Sequence, residues 1–210
     1  MARKILIAED HLACRQGIRT LLSEELPTYE FHFATTHREL TAELRMGHWE
    51  LVMLDLSLPG ASGLDDIKKI KIMSPRTYVL VYTICPEAQL GLRALRAGAD
   101  GYLTKDRPME ELFLAVHRVL SGKRYISATL AERLAMTLAF PQEKEVHELL
   151  SDREYQILRM LGNGLSPTAI GGQLQLSVKT VSTYRTRVLE KLNLQTTAEL
   201  IRYSIEHSIS

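Results

Sequence analysis

Short apolar runs alternate with amphipathic stretches five times over residues 1–121, and this alternation constrains the fold more than any other feature of the chain. The apolar runs are unbroken, as in strands that are buried on both faces of a sheet. Repeated strand–helix units of this kind predict a parallel, doubly wound sheet. The predicted strands are residues 5–8, 31–34, 51–54, 78–82 and 101–103.

A helical pattern follows each predicted strand. The first helix is expected to end near residue 22, and the others are predicted over 39–46, 64–73, 88–96 and 109–120. We expect the flavodoxin-like strand order 2-1-3-4-5, in which strands one and three are neighbours where the order reverses. Ligands of such sheets bind outside the carboxyl ends of the strands at that point. The predicted fold class is therefore α/β, with its chemistry at this edge of the sheet.

Polar residues with complementary chemistry stand at four of the five predicted strand ends. Glu9 and Asp10 follow the first strand, Asp55 follows the third, Thr83 the fourth and Lys105 the fifth. Three carboxylates that converge in one crevice repel one another and require a compensating positive charge. Mg²⁺ suits this role, because it accepts carboxylate oxygens, keeps several waters and bridges to phosphate.

Asp55 is the candidate nucleophile, since it stands alone at the centre of the sheet edge and a carboxylate can form an aspartyl-phosphate. The ammonium group of Lys105 and the hydroxyl of Thr83 would neutralise phosphoryl oxygens during the transfer. A single aspartate after a strand is usually a turn or capping residue. The combination of acids, threonine and lysine at successive strand ends favours the functional interpretation.

Residues 3–121 resemble the receiver domain of response regulators, in the residues just named and in the loop of Leu58-Pro59-Gly60 and Gly63. The resemblance implies that Asp55 accepts phosphate from a sensor histidine kinase. Two departures affect the site: Glu9 replaces the commoner aspartate, and Ile84 stands where the family often has a small residue. The larger Ile84 side chain is expected to slow access to the phosphoryl site.

The resemblance also assigns individual roles around the predicted phosphoacceptor. The residues assigned to Mg²⁺ are Glu9 through water, Asp10, Asp55 and the backbone carbonyl of Ser57. The residues assigned to phosphoryl binding and switching are Thr83, Lys105 and Tyr102, the last as the switch aromatic of the family.

Residues 122–147 lack the strand–helix rhythm and are predicted to link a receiver of residues 1–121 to a second domain of residues 148–210. An apolar-periodic piece over 130–138 predicts one short helix, which Phe140-Pro141 would end. A polar, charged stretch follows at 142–145. The same pattern also fits an extra helix packed on the receiver, and the sequence leaves both interpretations open.

Four helix-start signals fall in the last 60 residues and predict a compact all-helical domain. The signals are the capping boxes of Ser151 with Glu154 and Thr196 with Glu199, the N-cap and proline pair Ser166-Pro167, and the N-cap Ser177. The predicted second and third helices, 168–174 and 178–192, are separated only by the turn 175–177. This spacing is typical of a helix-turn-helix.

The predicted third helix has two chemically different faces. Val181, Val188 and Leu192, with Tyr184 beside them, are expected to pack on the other helices. The opposite face has Lys179, Ser182, Thr183 and Thr186, with Arg185 and Arg187 at its flanks. Such a face fits the major groove of DNA, where cations hold phosphates while hydroxyl and methyl groups read base edges. An ordinary amphipathic surface helix gives the same pattern.

Residues 148–208 resemble the LuxR-type helix-turn-helix in the stretches 150–154, 164–166 and 176–184 and in Lys191-Leu192. The pairing of this domain with a receiver resembles the NarL/FixJ group of response regulators. The resemblance implies a regulator of transcription that binds double-stranded DNA, as a homodimer when phosphorylated or DNA-bound. The assigned DNA-binding residues are Lys179, Thr180, Ser182, Thr183, Tyr184, Arg185, Thr186 and Arg187. Gly171-Gly172 departs from the pattern and predicts a soft second helix.

Composition and charge exclude several classes of protein. With 45% hydrophobic and 24% charged residues, the chain is typical of folded, soluble proteins. No apolar run reaches the roughly 18 residues of a membrane span, and no signal peptide is recognisable, so we expect a cytoplasmic protein without membrane contact. Net charge is +1, but residues 178–192 have four basic residues against one acidic residue. Cys14 and Cys85 are expected to be free thiols rather than a disulfide or metal ligands.

We expect no enzymatic activity beyond the receiver's own phosphotransfer and dephosphorylation. Two other classes stay open. A phosphatase that turns over on Asp55 needs a second acid two residues later, where Ser57 stands. In the second class, the protein is an interaction module whose helical domain binds protein and not DNA. In the last predicted helix, Leu200, Ile201 and Ile205 fit either a dimer face or the core of the domain.

Overall fold

The computed structural model describes residues 3–60, 63–139, 146–207 and 209 of the 210-residue chain. The chain divides into two compact units, Met1–Leu134 and Ala135–Ser210. The predicted helix stop Phe140-Pro141 and the charged stretch 142–145 lie outside the described residues. Among the described helices, none combines the length and apolar character that crossing a membrane requires.

The first unit is built on a five-stranded sheet of order β2-β1-β3-β4-β5, which confirms the predicted order. The strands are β1 (Arg3–Ala8), β2 (Tyr29–Ala34), β3 (Leu51–Leu54), β4 (Tyr78–Thr83) and β5 (Gly101–Thr104). All neighbouring strands pair in parallel, with Ala8 beside Leu54 and Thr83 beside Thr104. The residues that follow these strand ends therefore emerge at one edge of the sheet.

Five helices alternate with the strands, as the sequence predicts. They are α1 (Leu12–Glu25), α2 (His37–Met46), α3 (Gly63–Met73), α4 (Glu87–Ala97) and α5 (Met109–Leu120). Their bounds differ from the prediction by at most three residues, chiefly because the first and last turns contain polar residues outside the apolar pattern. At the start of α2, for example, the side chain of Thr36 accepts a hydrogen bond from the N–H of Glu39.

The unbroken apolar runs form the core of the first unit. All four residues of β3 are buried, and Ile5, Leu51 and Leu80 are fully buried on neighbouring strands. They pack with Ile18 of α1 and Leu112 of α5. Burying one such side chain stabilises a fold by about 1.5–3 kcal/mol. Both faces of the central strands are therefore covered by helices, and the polar residues follow the strands at the carboxyl edge of the sheet.

Gly63 allows α3 to begin directly against the loop that follows β3. A Cβ atom at Gly63 would lie 2.5 Å from the Cα of Leu56 and 2.7 Å from its carbonyl oxygen. These are backbone atoms, so no rotamer change relieves the contact. The close approach therefore requires glycine and holds the loop after Asp55 against the sheet.

A sixth helix, α6 (Ala128–Ala139), lies in the region predicted as a linker. Leu130 is buried, and its two methyl groups lie 2.9 and 3.0 Å from the position that a Cβ of Gly91 would take. Arg133 donates a hydrogen bond of 2.6 Å to the carbonyl of Ala88. The start of α6 thus packs on α4 within the first unit, while the domain boundaries themselves stay a prediction.

The second unit is helical. A 3-10 helix (Val146–Leu149) precedes α7 (Asp152–Gly162), α8 (Pro167–Leu174), α9 (Val178–Leu192) and α10 (Thr197–Glu206). The capping box of Ser151 and Glu154 is present as predicted. Thr196 caps α10, but the carboxylate of Glu199 accepts from the N–H of Gln195 instead of closing a capping box.

The turn between α8 and α9 gives a physical reason for one of the two glycines in α8. The N–H of Leu176 donates to the carbonyl of Gly171 at 2.9 Å. A Cβ atom at Gly171 would lie 2.8 Å from the carbonyl oxygen of Leu176, whereas nothing lies within 4 Å of one at Gly172. A small residue at position 171 therefore permits the tight turn, which begins with Gln175 in the left-handed conformation.

Replacing Gly63 with alanine is expected to destabilise the first unit by about 1–3 kcal/mol, because the new methyl group overlaps backbone atoms. Gly17→Ala in α1 is the matched control. Nothing lies within 4 Å of its Cβ position, and alanine is favoured over glycine inside a helix by about 1 kcal/mol.

Urea unfolding followed by the fluorescence of Trp49, the single tryptophan and buried in the first unit, measures both variants. A midpoint for Gly63→Ala equal to or above that of Gly17→Ala would contradict the expected close packing of α3.

Candidate functional site

Asp55 lies one residue past β3 and is only 3% exposed. Its N–H donates to the carbonyl of Ala8, which ties it to the end of β1. Its Oδ1 accepts hydrogen bonds from the N–H of Ser57 at 2.9 Å and the hydroxyl of Thr83 at 2.8 Å. Its Oδ2 accepts from the Nζ of Lys105 at 2.6 Å. The ends of β4 and β5 thus hold both oxygens of the predicted nucleophile.

Lys105 joins two carboxylates from different strands. Its Nζ lies 2.5 Å from Oε2 of Glu9 and 2.6 Å from Oδ2 of Asp55. Burial lowers the pKa of Lys105, but the hydrogen bonds and charges of Asp55 and Glu9 outweigh burial and raise that pKa above its ordinary value. The ammonium group therefore stays charged and balances the acids.

The acid pair after β1 is oriented by its backbone. The N–H of Glu9 donates to the carbonyl of Ala34 at 2.9 Å. The guanidinium of Arg15 donates to the carbonyls of Glu9 and Asp10 at 2.8 and 2.7 Å. The sequence did not predict a role for Arg15, because it acts on backbone carbonyls and no spacing of side chains signals such a contact.

The donor set beside this pair fits a hard cation. Oδ1 of Asp10 is buried and receives no hydrogen bond, although Nδ1 of His11 lies 2.9 Å away. Ligand atoms of Glu9, Asp10 and His11 all lie within 4.8 Å of one another. A buried carboxylate oxygen without a donor is stabilised by a cation, and Mg²⁺ prefers oxygen ligands. Ser57 is exposed, and the ligand role of its carbonyl stays a prediction.

The residues of the predicted switch are linked through Cys85. Thr83 and Tyr102 are both buried. The N–H of Cys85 lies 3.3 Å from the hydroxyl of Thr83, and its carbonyl accepts a 2.9 Å hydrogen bond from the hydroxyl of Tyr102. Ile84 is 71% exposed, so most of its side chain lies in solvent.

Both cysteines are free thiols, as expected. Burial and the nearby charge of Glu9 raise the pKa of Cys14 to about 11, so this thiol stays protonated. Cys85 links Thr83 to Tyr102 through its backbone N–H and carbonyl, and no side-chain spacing in the sequence indicates such a contact.

The inner face of α9 agrees with its prediction, since Val181, Val188 and Leu192 are all buried. Two of its basic residues also bind inside the unit. Arg185 donates to the hydroxyl of Thr197 at 2.9 Å. Lys191 donates to the buried carboxylate of Glu154 at 2.6 Å.

The exposed residues of α9 include Lys179, Thr183, Thr186 and Arg187. The hydroxyls of Thr183 and Thr186 donate to the carbonyls four residues earlier in the helix. The guanidinium of Arg187 lies 5.9 Å from the ring centre of Tyr184. The remaining predicted DNA-binding residues are partly exposed, namely Thr180, Ser182, Tyr184 and Arg185.

Two family models match the chain. Residues 5–117 match the response regulator receiver domain. Residues 148–204 match the bacterial regulatory proteins of the luxR family.

Relatives match almost the full length of the chain. It is 34% identical over 207 residues to the response regulator GacA of Pseudomonas aeruginosa, covering 98% of this chain and 97% of that protein. It is 32% identical over 206 residues to the response regulator UvrY of Escherichia coli K12, covering 98% and 94%.

Solved structures share the fold. RcsB of Salmonella enterica serovar Typhimurium, solved with promoter rprA, has a TM-score of 0.66 at 24% identity and covers 97% of this chain and 98% of its own. A LuxR-family two-component response regulator from Aurantimonas has a TM-score of 0.59 at 29% identity, covering 67% of this chain and 100% of its own.

Both halves of the chain therefore have family matches, and the order of the two halves is that of the full-length relatives. The chain belongs to the NarL/FixJ group of two-component response regulators, transcriptional regulators in which a receiver domain precedes a LuxR-type DNA-binding domain.

Proposed function

We propose that a sensor histidine kinase phosphorylates this response regulator on Asp55, and that phosphorylation controls how α9 binds DNA. One observation supports this assignment most strongly. The N–H of Ser57, the hydroxyl of Thr83 and the ammonium of Lys105 all donate to the buried carboxylate of Asp55. A carboxylate surrounded by these donors is suited to receive a phosphoryl group, whose oxygens need the same donors.

In the proposed transfer, a carboxylate oxygen of Asp55 attacks the phosphorus of a phosphohistidine. The new O–P bond forms as the P–N bond breaks, and the released imidazole nitrogen keeps the electron pair and takes up a proton. The ammonium of Lys105 and the hydroxyl of Thr83 then bind phosphoryl oxygens in place of the free carboxylate.

Glu9, Asp10, Asp55 and the carbonyl of Ser57 would hold Mg²⁺, with Glu9 acting through water. When bound, Mg²⁺ neutralises the charge of the phosphoryl oxygens during transfer. The buried Oδ1 of Asp10, which receives no hydrogen bond, supports this assignment. Arg15 keeps the backbone of the acid pair in place.

Phosphorylation is proposed to act through Thr83 and Tyr102. When the hydroxyl of Thr83 leaves Oδ1 of Asp55 for a phosphoryl oxygen, the backbone that follows β4 must adjust. Tyr102 contacts the same segment through the carbonyl of Cys85. A local change of charge thereby biases a two-state element.

The proposed DNA contacts are made by the exposed face of α9. Lys179 and Arg187 would hold phosphates, while Thr183 and Thr186 face the base edges of the major groove. As a homodimer, the protein would read two half-sites about one helical turn apart. Since its target is the bacterial chromosome, we place the protein in the cytoplasm.

We further propose that its chemistry is limited to its own phosphotransfer and dephosphorylation. A phosphatase that turns over on Asp55 would need a second acid at position 57. That position is occupied by Ser57, whose N–H donates to Asp55. A helical domain that binds only protein would not need Lys179 and Arg187 exposed on one helix.

Asp55→Asn is expected to abolish incorporation of phosphate from acetyl phosphate or a phosphorylated kinase, because an amide cannot form the acyl phosphate. Intact-protein mass spectrometry measures the added phosphoryl group. Asp152→Asn, an equal change in the second unit, is the control and should label normally. Labelling of Asp55→Asn at the wild-type level would reject Asp55 as the phosphoacceptor.

Lys179→Gln and Arg187→Gln are each expected to weaken binding to all duplex DNA, because each loses one phosphate contact. The slope of log affinity against log salt concentration should fall by about 1 per variant. Fluorescence anisotropy with labelled random-sequence duplexes measures that slope. Arg202→Gln, an exposed cation on α10, is the control. A slope that changes equally in all three variants would contradict the assigned face.

A further inference from the structure

The segment between β4 and α4 connects Asp55 to the first residue of α4 over a very short distance. Thr83 donates to Asp55, and the N–H of Cys85 lies within 3.3 Å of the Thr83 hydroxyl. Only Pro86 separates Cys85 from Glu87, which begins α4. A change at the Thr83 hydroxyl therefore acts on the residues that position Glu87.

Glu87 in turn holds the residue that caps α6. Its Oε1 accepts from the N–H of Ser127 at 3.3 Å, and its Oε2 accepts from the Ser127 hydroxyl. The same hydroxyl oxygen accepts from the N–H of Leu130 at 3.0 Å. The N–H of Ala131 donates to the carbonyl of Ser127 at 3.0 Å. The first turn of α6 is thus oriented by a carboxylate of α4.

A second contact attaches the chain before α6 to the switch aromatic. The N–H of Tyr102 donates to the carbonyl of Tyr125 at 2.9 Å, and the N–H of Tyr125 donates to the carbonyl of Asp100 at 3.1 Å. Tyr102 therefore contacts Cys85 through its hydroxyl and the segment leading to α6 through its backbone. Both routes from Asp55 meet within a few residues of Ser127.

The packing of α6 on α4 couples the Glu87–Ser127 contact to the position of α4. Leu130 is 1% exposed and fills the space left by Gly91, while Arg133 binds the carbonyl of Ala88. These residues extend along one side of α4 from its first turn. A displacement of the first turn of α4 therefore changes the Glu87–Ser127 contact together with the packing beneath it.

We propose that Glu87 and Ser127 transmit the phosphorylation state of Asp55 to α6, the helix that leads out of the first unit. The inference rests on the proposed phosphorylation of Asp55. Hydrogen bonds to a carboxylate are among the stronger ones in proteins, and an N-cap serine contributes measurably to the stability of a helix start. Moving Glu87 relative to Ser127 thus changes the stability of the first turn of α6.

Hydrogen exchange of the full-length protein, with and without acetyl phosphate and Mg²⁺, tests the proposal. In the wild type, phosphorylation is expected to change exchange in the segments 80–90 and 125–134 together. In Ser127→Ala, exchange of 125–134 should be about fivefold faster at rest, because the cap is lost. This segment should then no longer respond to phosphorylation, while 80–90 still does.

Glu87→Gln gives an independent variant, because glutamine has one acceptor oxygen where Oε1 and Oε2 of Glu87 both accept from Ser127. It should reduce the response of 125–134 without changing the labelling of Asp55. Ser121→Ala is the matched control, since the hydroxyl of Ser121 donates to the nearby carbonyl of Arg118 at the end of α5. Its 125–134 segment should respond as in the wild type.

The proposal is overturned if 80–90 responds in the phosphorylated wild type and 125–134 does not. It is also overturned if Ser127→Ala and Glu87→Gln both keep the full wild-type response. Mass spectrometry of the same samples measures the phosphoryl group separately. If the wild type is not labelled, the proposed function itself fails and this inference falls with it.

Discussion

The first unit depends on the contact of one ammonium group with two buried carboxylates. Lys105 lies within 2.6 Å of Asp55 and 2.5 Å of Glu9. Two carboxylates this well buried oppose folding unless they are compensated, and removing one partner of a buried ion pair costs about 3–5 kcal/mol. The parallel sheet brings the three residues together, because their strands end at the same edge. The charge balance of the site is therefore a consequence of topology, and a phosphoryl group or a cation can alter that balance.

In the second unit a buried carboxylate pairs with a cation whose side chain is 44% exposed. Lys191 of α9 neutralises Glu154, whose carboxylate also closes the cap of α7. Burial raises the pKa of Glu154, but the bonds to Lys191 and to Ser151 outweigh burial and lower that pKa below its ordinary value. Part of the charge counted along α9 is therefore already paired within the unit. Lys191 binds Glu154 although its side chain is exposed, Arg185 binds Thr197, and Lys179 and Arg187 are exposed.

The sequence predicted the sheet and its edge because both follow from patterns with a direct physical cause. Unbroken apolar runs must be buried on both faces, and parallel strands must expose their following residues at one edge, so Asp55 and Lys105 were predictable. The roles of Arg15 and Cys85 were not predictable, because they involve backbone carbonyls and N–H groups that no side-chain spacing reveals.

The contacts that depend on three-dimensional packing were also beyond the sequence. The pairing of Glu87 with Ser127 spans 40 residues and depends on how α6 packs. The short turn before α9 was predicted, whereas the need for a small residue at Gly171 appears only when Leu176 is placed in three dimensions.

The three hydrogen-bond donors to the carboxylate of Asp55 differ in how freely they can move. This difference explains how the residues that bind Asp55 can also change the conformation of the protein. Oδ1 is shared by a backbone N–H from Ser57 and a hydroxyl from Thr83, whereas Oδ2 has the ammonium of Lys105. The N–H of Ser57 is part of the loop and the ammonium has a long flexible stem, so both can follow a new oxygen with little cost. The hydroxyl of Thr83 lies on a short, buried side chain next to Cys85, and it can follow only if the backbone after β4 moves. Of the three donors, Thr83 is therefore the one through which a change at Asp55 becomes a change in the shape of the protein.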